Sequence, residues 1–563
     1  MKITSRVFGG PFPVFVLLII LSLTWIPRLR GPIDLRWDAA LYYTLGTSLA
    51  EGHGYRMMNE PGHIEATVWP PLLPAFVAAH QRILHTTDPV VVGAWLRGSF
   101  FLIWLAYLAA AYALFRIHLG IGLAMFATAV CGLDLSAVWL SDRCYADLPF
   151  ALLVTLFFIV ASRPATRANT LGAWLLAALA FLARSVGLAL FVGWIAEALA
   201  RRRFQVAALR VALALVPVLA WQGFIAHVEA EPSYAHPPYA YARADYALYN
   251  VSYARNMTLR DPNAPELGKA TPGDLVRRVA RNVIRIPMSV GGGVSAVERD
   301  WVTMMEQIKQ VPVARRLVPW RAIPLGLFAL GALTIAGAAM LVTRGHVLLA
   351  VAATMYLLHL CLLPATDQWP RYLVGIAPVL VLAFVFALSR LRWTWAKTAI
   401  VCFVLITQTC TLGWWFTHEF RPVVHENWYG HRVVYRLFSY DAAFDAFDAG
   451  LEWLQRTGQT DQVVVSSMAP WVYVRTGMHA VLPPLERRLD VVGPLLDTVP
   501  ATYVIVDTCG LSFTRKYTLP FVSAARDQWR LSYTAPQGGL EIYERRPPVP
   551  GVALAATRRR GLN

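Results

Sequence analysis

Charge is what this sequence has least of. Only 15% of its 563 residues are charged, against 57% hydrophobic and a mean hydropathy of +0.47; a soluble domain carries about a quarter charged and about half apolar. An ordinary globular protein is excluded, and a polytopic membrane protein is expected. Cysteine is scarce too: of six, Cys131, Cys361, Cys402 and Cys410 fall in apolar runs, Cys144 in a loop and Cys509 near the end. With no C-x-x-C and no paired spacing, neither a zinc site nor a disulfide framework is indicated. The 13 histidines are scattered without the spacing of a metal set, and no internal repeat is visible. Acidic groups number 34 against 51 basic ones, a net charge of +17. In a membrane chain such an excess reads as cytoplasmic-loop bias rather than nucleic-acid binding.

The apolar runs set the topology. Met1 to Arg6 and the run Phe12 to Ile26 have the shape of a signal peptide, but Ile26-Pro27-Arg28 offers no small-x-small cleavage site, so a retained first helix is expected. Further runs cover Val90 to Phe115, Leu119 to Leu140, Leu148 to Ala161, Leu171 to Ala200 and Val206 to Ala226. Others follow at Ile323 to Val342, Val347 to Leu363, Leu373 to Leu388 and Ala399 to Phe416. As one helix Leu171 to Ala200 would span roughly 45 Å, and Arg184 interrupts it, so it reads as two short crossings turning at Arg184-Ser185. With about eleven crossings and a cytoplasmic N-terminus, the basic turns Arg163/Arg167, Arg201 to Arg203, Arg344 and Arg390/Arg392/Lys397 all fall inside. Outside then lie Arg28 to Pro89, Ser141 to Asp147, the Arg184 turn, His227 to Trp320, Pro364 to Arg371 and everything from Thr417.

The expected fold is therefore an α-helical polytopic membrane protein with amphipathic helices in its outside loops and a small C-terminal α/β domain. Residues 1–416 form the membrane domain, including outside loops 28–89 and 227–320, and 417–563 the outside domain. Asp38 to Glu51 and Leu72 to Leu84 are too short to cross; His80, Gln81 and Arg82 suit a helix lying along the interface. A Tyr/Ala/Pro-rich segment, Tyr234 to Tyr253, reads as an aromatic belt or a sugar-stacking surface. Arg277, Arg278, Arg281 and Arg285 follow at spacings that make one cationic helical face at anionic headgroups. Beyond Tyr440, Asp441 to Arg456 alternates at helical spacing, while Gln462 to Ser467, Tyr503 to Val506 and Leu540 to Tyr543 read as strands. Arg558 to Arg560 is a frayed tail.

Polar groups on the outer side converge on four regions: the first loop with Asp38, Tyr42, His53, Tyr55 and Trp69; Ser141 to Asp147; Arg184; and Asp367 to Tyr372. Acids and arginines beside lipid suit a substrate with a lipid tail and a phosphate. Moving a sugar from a polyprenyl phosphate needs a carboxylate to take the acceptor hydroxyl's proton, and forked guanidinium groups to stabilise the departing phosphate. Asp38 can supply the first, and Arg371, Arg184 and Arg143 or Arg97 the second. Asp142 and Asp147 are five apart, off a common helical face, so one can orient the acceptor while the other caps a helix. Both Asp38 and Asp147 also fit helix N-caps, and Arg371 also fits a headgroup anchor. His53 is a turn residue between glycines or a phosphate contact. No cofactor is called for, although an acid pair can hold a divalent cation.

Asp38 with Tyr42, Gly52 to Tyr55, Trp69-Pro70-Pro71-Leu72, Asp142 to Pro149, Leu182 to Leu188, and Arg371-Tyr372-Leu373 with Pro378 carry a resemblance. In that order and on one side, they resemble the polyprenyl-phosphate-sugar-dependent membrane glycosyltransferases of the C-type superfamily, the group of protein O-mannosyltransferases and the lipid A aminoarabinose transferase. What the resemblance implies is inverting transfer in a bacterial inner membrane, to a lipid, glycan or protein acceptor, with Asp38 matching the family's first-loop acid and Asp147 its second-loop acid. Ala39 follows Asp38 where several relatives carry a second acid, and Trp69 stands where the aminoarabinose enzymes have a basic residue. The rival reading is a transporter or lipid flippase, which requires repeats and paired broken helices near the midplane.

Overall fold

The structure, a computed structural model, describes residues 12–308, 322–364, 368–426 and 430–547. Met1 to Arg6, Asp367 and Arg558 to Arg560 lie outside the described residues. Helix α1 (Phe12–Ser22) runs on as a 3-10 turn to Arg28; α2 (Asp38–Ala50) and α3 (Leu72–Leu84) pack together in the first loop. Next come α4 (Pro89–His118), α5 (Ile121–Leu133), α6 (Leu135–Ser141), α7 (Asp147–Ala161), α8 (Arg167–Ala183), α9 (Leu188–Ala200) and α10 (Phe204–Ala230). After the second loop follow α11 (Pro272–Val294), α12 (Glu298–Ile308), α13 (Ala322–Thr343), α14 (Val347–Cys361), α15 (Trp369–Arg390, through a 3-10 turn) and α16 (Thr394–His418).

Caps explain several of these boundaries. The Asp88 side chain accepts the Val90 N–H ahead of α4, Thr166 caps α8, and Thr271 with Asp274 forms a capping box on α11. Five helices, α4, α10, α13, α15 and α16, are long and apolar enough to cross a bilayer, and α5 with α6 makes a sixth if that bent pair is one span. Five further apolar helices of 10–17 residues, Phe12–Arg28, α7, α8, Ser185–Ala200 and α14, are shorter. The chain is an integral membrane protein, and by length alone five or six spans lie among the described residues. At its centre lies α15, buried at every position from Ala377 to Leu388. Helices such as α10 and α16 instead carry exposed apolar residues, Leu215, Val216, Leu219 and Ile406, as lipid-facing surfaces do.

The turn expected at Arg184-Ser185 is present: α8 ends at Ala183, Arg184 is extended, and Ser185–Gly187 is a 3-10 turn. Gly187 allows it, since a Cβ there would fall 2.6 Å from the Phe181 nitrogen. Leu119 to Leu140, expected as one crossing, is broken. Asp134 caps α6 by accepting the Ser136 and Ala137 N–H groups, and the chain bends by 58°. It is the one such bent pair among the described residues, not the matched two that the transporter reading requires.

Two amphipathic helices differ from expectation in the same way. In α3, Gln81 is buried and donates to Thr47 Oγ1 at 2.9 Å, and Arg82 caps α2 through the Leu49 and Ala50 carbonyls. In α11, Arg278 is buried and donates to the Leu259 and Arg260 carbonyls, leaving Arg277, Arg281 and Arg285 on the exposed side. Carbonyls inside the fold take Arg278 from the surface, and the Thr47 hydroxyl takes Gln81, while Arg82 stays exposed.

After α16, β1 (Phe420–Glu426) and β2 (Arg432–Phe438) form an antiparallel hairpin. Then come α17 (Ala442–Thr457), β3 (Val463–Val465), α18 (Ala469–Thr476), β4 (His479–Val481), α19 (Leu489–Asp497), β5 (Ala501–Asp507), β6 (Trp529–Thr534) and β7 (Leu540–Arg545). The sheet order is β4-β3-β5-β7-β6, with β4, β3 and β5 parallel and the rest antiparallel. The three strands expected from sequence are β3, β5 and β7, the central ones. Buried β3 and β5 read as apolar runs and β7 as an alternating one.

Candidate active site

Asp38 is the first residue of α2 and Asp147 the first of α7, and neither carboxylate caps its own helix. The N-cap positions are Trp37 and Ala146, without side-chain cap bonds. Both carboxylates instead meet arginines. Arg371, in the first turn of α15, donates Nη1 to Asp38 Oδ2 at 2.8 Å and Nε to Asp147 Oδ2 at 3.1 Å. Arg184, at the break between α8 and α9, bonds Asp147 Oδ1 through Nη1. Four segments far apart in sequence thus close one cluster of two carboxylates and two guanidiniums. Such charges tolerate a dry site because each is paired. The Asp147 side chain is 2% exposed and Asp38 18%, with Arg184 at 17%, so the cluster opens toward Asp38 and Arg184.

Tyrosines line it. The Arg371 guanidinium lies 4.1 Å from the Tyr145 ring centroid and that of Arg184 4.8 Å from Tyr372, distances of cation–π attraction. Tyr356 donates to the Tyr372 carbonyl at 2.6 Å, and Tyr249 donates to Asp38 Oδ1 at 3.4 Å. Tyr249 comes from the Tyr234 to Tyr253 segment, whose aromatic density was its only signal in sequence. Burial, then the Asp38 charge, pushes its hydroxyl well above the ordinary tyrosine value. Tyr42 also borders the cluster: burial raises its hydroxyl, while the Arg184 charge beside it acts the other way.

The remaining sequence candidates lie elsewhere. Arg143 stands outside this cluster; it pairs with Asp34 at 3.1 Å, sits 3.9 Å from the Trp139 ring centroid, and is 4% exposed. Asp142, expected to orient the acceptor or cap a helix, is buried against Arg97 at 3.0 Å. Arg28 donates to Ser141 Oγ beside it, and Arg36 pairs with Asp34 at 2.9 Å. This second network of four arginines and two aspartates stands one ring behind the first, with Tyr145 between Arg371 and Arg143, 5.8 Å from the latter. His53 is exposed, 3.6 Å from Glu51, and Tyr55 donates to the Trp69 carbonyl at 2.8 Å; neither borders the cluster.

Trp37 itself has φ +60° and ψ −132°. The Ala39 N–H closes a turn on the Arg36 carbonyl at 3.3 Å, and the first central position of such a turn is ordinarily glycine. A tryptophan there costs about 1–3 kcal/mol and persists only where its surroundings hold it.

No family model matches this sequence, and no curated protein matches it. Solved structures do. The Archaeoglobus fulgidus oligosaccharyltransferase in complex with Zn and sulfate aligns at TM-score 0.51 and 13% identity, over 94% of this chain and 73% of that one. The oligosaccharyltransferase AglB of the same organism, with an inhibitory peptide and a dolichol-phosphate, aligns at TM-score 0.49 and 13% identity, over 95% and 75%. ArnT from Cupriavidus metallidurans, bound to undecaprenyl phosphate, aligns at TM-score 0.41 and 10% identity, over 96% and 99%. The first of these likenesses shows that this chain shares the fold of that oligosaccharyltransferase over nearly its whole length.

Arg371 occupies an oxygen of each acid, and among the described residues no three His, Cys, Asp or Glu gather as a metal set.

Proposed function

We propose that this protein is an inverting glycosyltransferase that moves a sugar from a polyprenyl-phosphate donor to an acceptor hydroxyl at the outer face of the membrane. The observation that carries this reading is the convergence of Asp38, Asp147, Arg184 and Arg371 on one cluster. Asp38, the more open acid, takes the proton from the acceptor hydroxyl as its oxygen attacks the anomeric carbon. The bond from that carbon to the phosphate oxygen breaks on the opposite face, and its electron pair leaves with the phosphate. Arg371 and Arg184 receive the charge on their N–H groups. Asp147 bonds both guanidiniums and fixes their direction. A phosphate drawing Arg371 Nη1 to itself would free the Asp38 oxygen now bonded to it, coupling donor binding to release of the base.

The topology that accompanies this reading has about eleven crossings, a cytoplasmic N-terminus, a membrane domain over 1–416, and an outside domain over 417–563, in a bacterial inner membrane. Its support is the Arg184 turn, which makes two short helices of one apolar run, and the clustering of acids and arginines from segments that parity puts on one side. The acceptor is a lipid, glycan or protein bearing a hydroxyl. A transport path would place the acids in mid-span, whereas Asp38 and Asp147 open helices at loop ends.

The test is native mass spectrometry of the purified protein and of Asp38→Asn. A polyprenyl-phosphate sugar retained by the variant, with polyprenyl phosphate or no such lipid on the wild type, supports transfer and gives the sugar's mass. Bulk phospholipid alone on both, in repeated preparations, overturns the donor.

A further inference from the structure

The two residues before Asp38 are held from the far end of the chain. Arg36, buried and paired with Asp34, donates Nη2 to the Phe438 carbonyl at 2.8 Å and Nη1 to the Ser439 carbonyl at 3.1 Å. Its guanidinium lies 4.2 Å from the Phe444 ring centroid. Trp37 turns the same way. Its indole meets Phe444 edge-on, centroids 5.6 Å apart at 78°, and its outer ring lies so close over Gly510 that a Cβ there would fall 1.8 Å from Trp37 Cη2. Gly510 has φ +53° in the turn after β5, where Asp507 accepts the Cys509 N–H at 2.9 Å.

Three features therefore coincide at one place. The backbone of Trp37 is in a conformation that L side chains rarely adopt, α2 has no side-chain cap, and the groups that hold Arg36 and Trp37 beyond the first loop belong to residues 438–444 and 510. Released from them, residue 37 would relax toward the broad extended region, turning the first residue of α2 away from its present direction. That residue is Asp38.

We infer that the C-terminal region sets the position of the Asp38 carboxylate against Arg371, with Arg36 and Trp37 as positioning residues and Phe444 and Gly510 as their seat. The consequence for transfer rests on the proposed function; the mechanical coupling does not.

Hydrogen–deuterium exchange of the full-length protein tests it. Gly510→Ala drives a methyl into the indole, and we expect the amides of residues 38–45 to exchange about tenfold faster, with α13 and α15 unchanged. Trp37→Phe removes the ring atoms that the methyl would strike, so adding it to Gly510→Ala should return most of the protection. Phe444→Leu, which removes the seat without adding bulk, should loosen the same amides and covers the case in which Gly510→Ala does not fold. Unchanged exchange at 38–45 in Phe444→Leu, or a double variant as loose as Gly510→Ala, overturns the inference. Titration with undecaprenyl phosphate in the same preparations separates the two readings. If the wild type binds none while the exchange pattern appears as expected, the donor assignment fails and the positioning stands. If the wild type binds it, Phe444→Leu, which loosens Asp38 from Arg371 Nη1, should bind it several-fold more tightly, and equal affinity with loosened amides would overturn the link from Asp38 position to the donor site.

Discussion

Arg371 bonds both acids at once through two differently directed N–H groups, a geometry that a lysine ammonium cannot reproduce. Arg371→Lys should therefore weaken undecaprenyl phosphate binding by about 10- to 100-fold, the scale of one or two charge-assisted hydrogen bonds of about 1.5–3 kcal/mol, while keeping the charge and the fold. Isothermal titration with a parallel thermal melt distinguishes this from unfolding. Asp38→Asn keeps the size and the bond to Arg371 but removes the base. Transfer should fall by about 100- to 10,000-fold with little change in melting temperature, and an unchanged rate would sink the assignment. Arg184 stood out in sequence because an arginine inside an apolar run is costly without a purpose, whereas Asp38, Asp147 and Arg371 stood out by their place in outside loops and by the family resemblance. Arg143 looked equivalent, yet it is committed to Asp34. Sequence could not separate them, since a buried ion pair between residues so far apart along the chain leaves no local pattern.

Helices were legible where their stops are local. The Arg184 turn and the bounds of α3 follow from residue type and spacing, and they stand in the structure as expected. The Asp134 break also has a local cause, an acid able to cap α6, but inside an apolar run the same residue reads equally as a buried polar neighbour. Helix contact is where packing decides. In α11 and α13 a Cβ on Gly291 would fall 1.8 Å from the Leu327 oxygen and one on Gly331 1.7 Å from the Pro287 oxygen, so the two backbones touch as small residues allow in membranes. Gly331→Ala should destabilise the protein by about 1–3 kcal/mol, the cost of overpacking, read as a lower melting temperature in detergent. Gly326→Ala, on the same helix with open space around it, should change little.

Over the whole molecule, the first loop joins two distant parts of the chain at Asn59 and Glu60. Asn59 exchanges hydrogen bonds with Ala480 of β4, at 3.0 Å from its side chain and 2.7 Å to its carbonyl, and buried Glu60 accepts from Tyr239 at 2.6 Å. Burial pushes the Glu60 carboxyl up to about 7, against the pull of its hydrogen bonds. A carboxyl raised in the folded state holds its proton there longer than in the unfolded chain. Stability is thus lost as pH rises from the ordinary carboxyl range through about 7, with no further change from this group above it. Melting temperatures across that window should fall for the wild type and flatten for Glu60→Gln, which keeps an acceptor for Tyr239 without the charge; parallel curves would show that Glu60 does not govern the slope.

Sequence alone determined the membrane class, the long helices, the α8–α9 turn and the central strands, because burial in lipid or on both faces of a sheet demands unbroken apolar runs and each break needs a local stop. It also supplied the four charged residues of the cluster. Tertiary structure decided which arginine meets which acid, brought Tyr249 to Asp38, and set Arg36 and Trp37 against residues 438–444 and 510. Those are contacts between segments remote in sequence, and a charge or a ring carries no record of its partner until the intervening chain has folded.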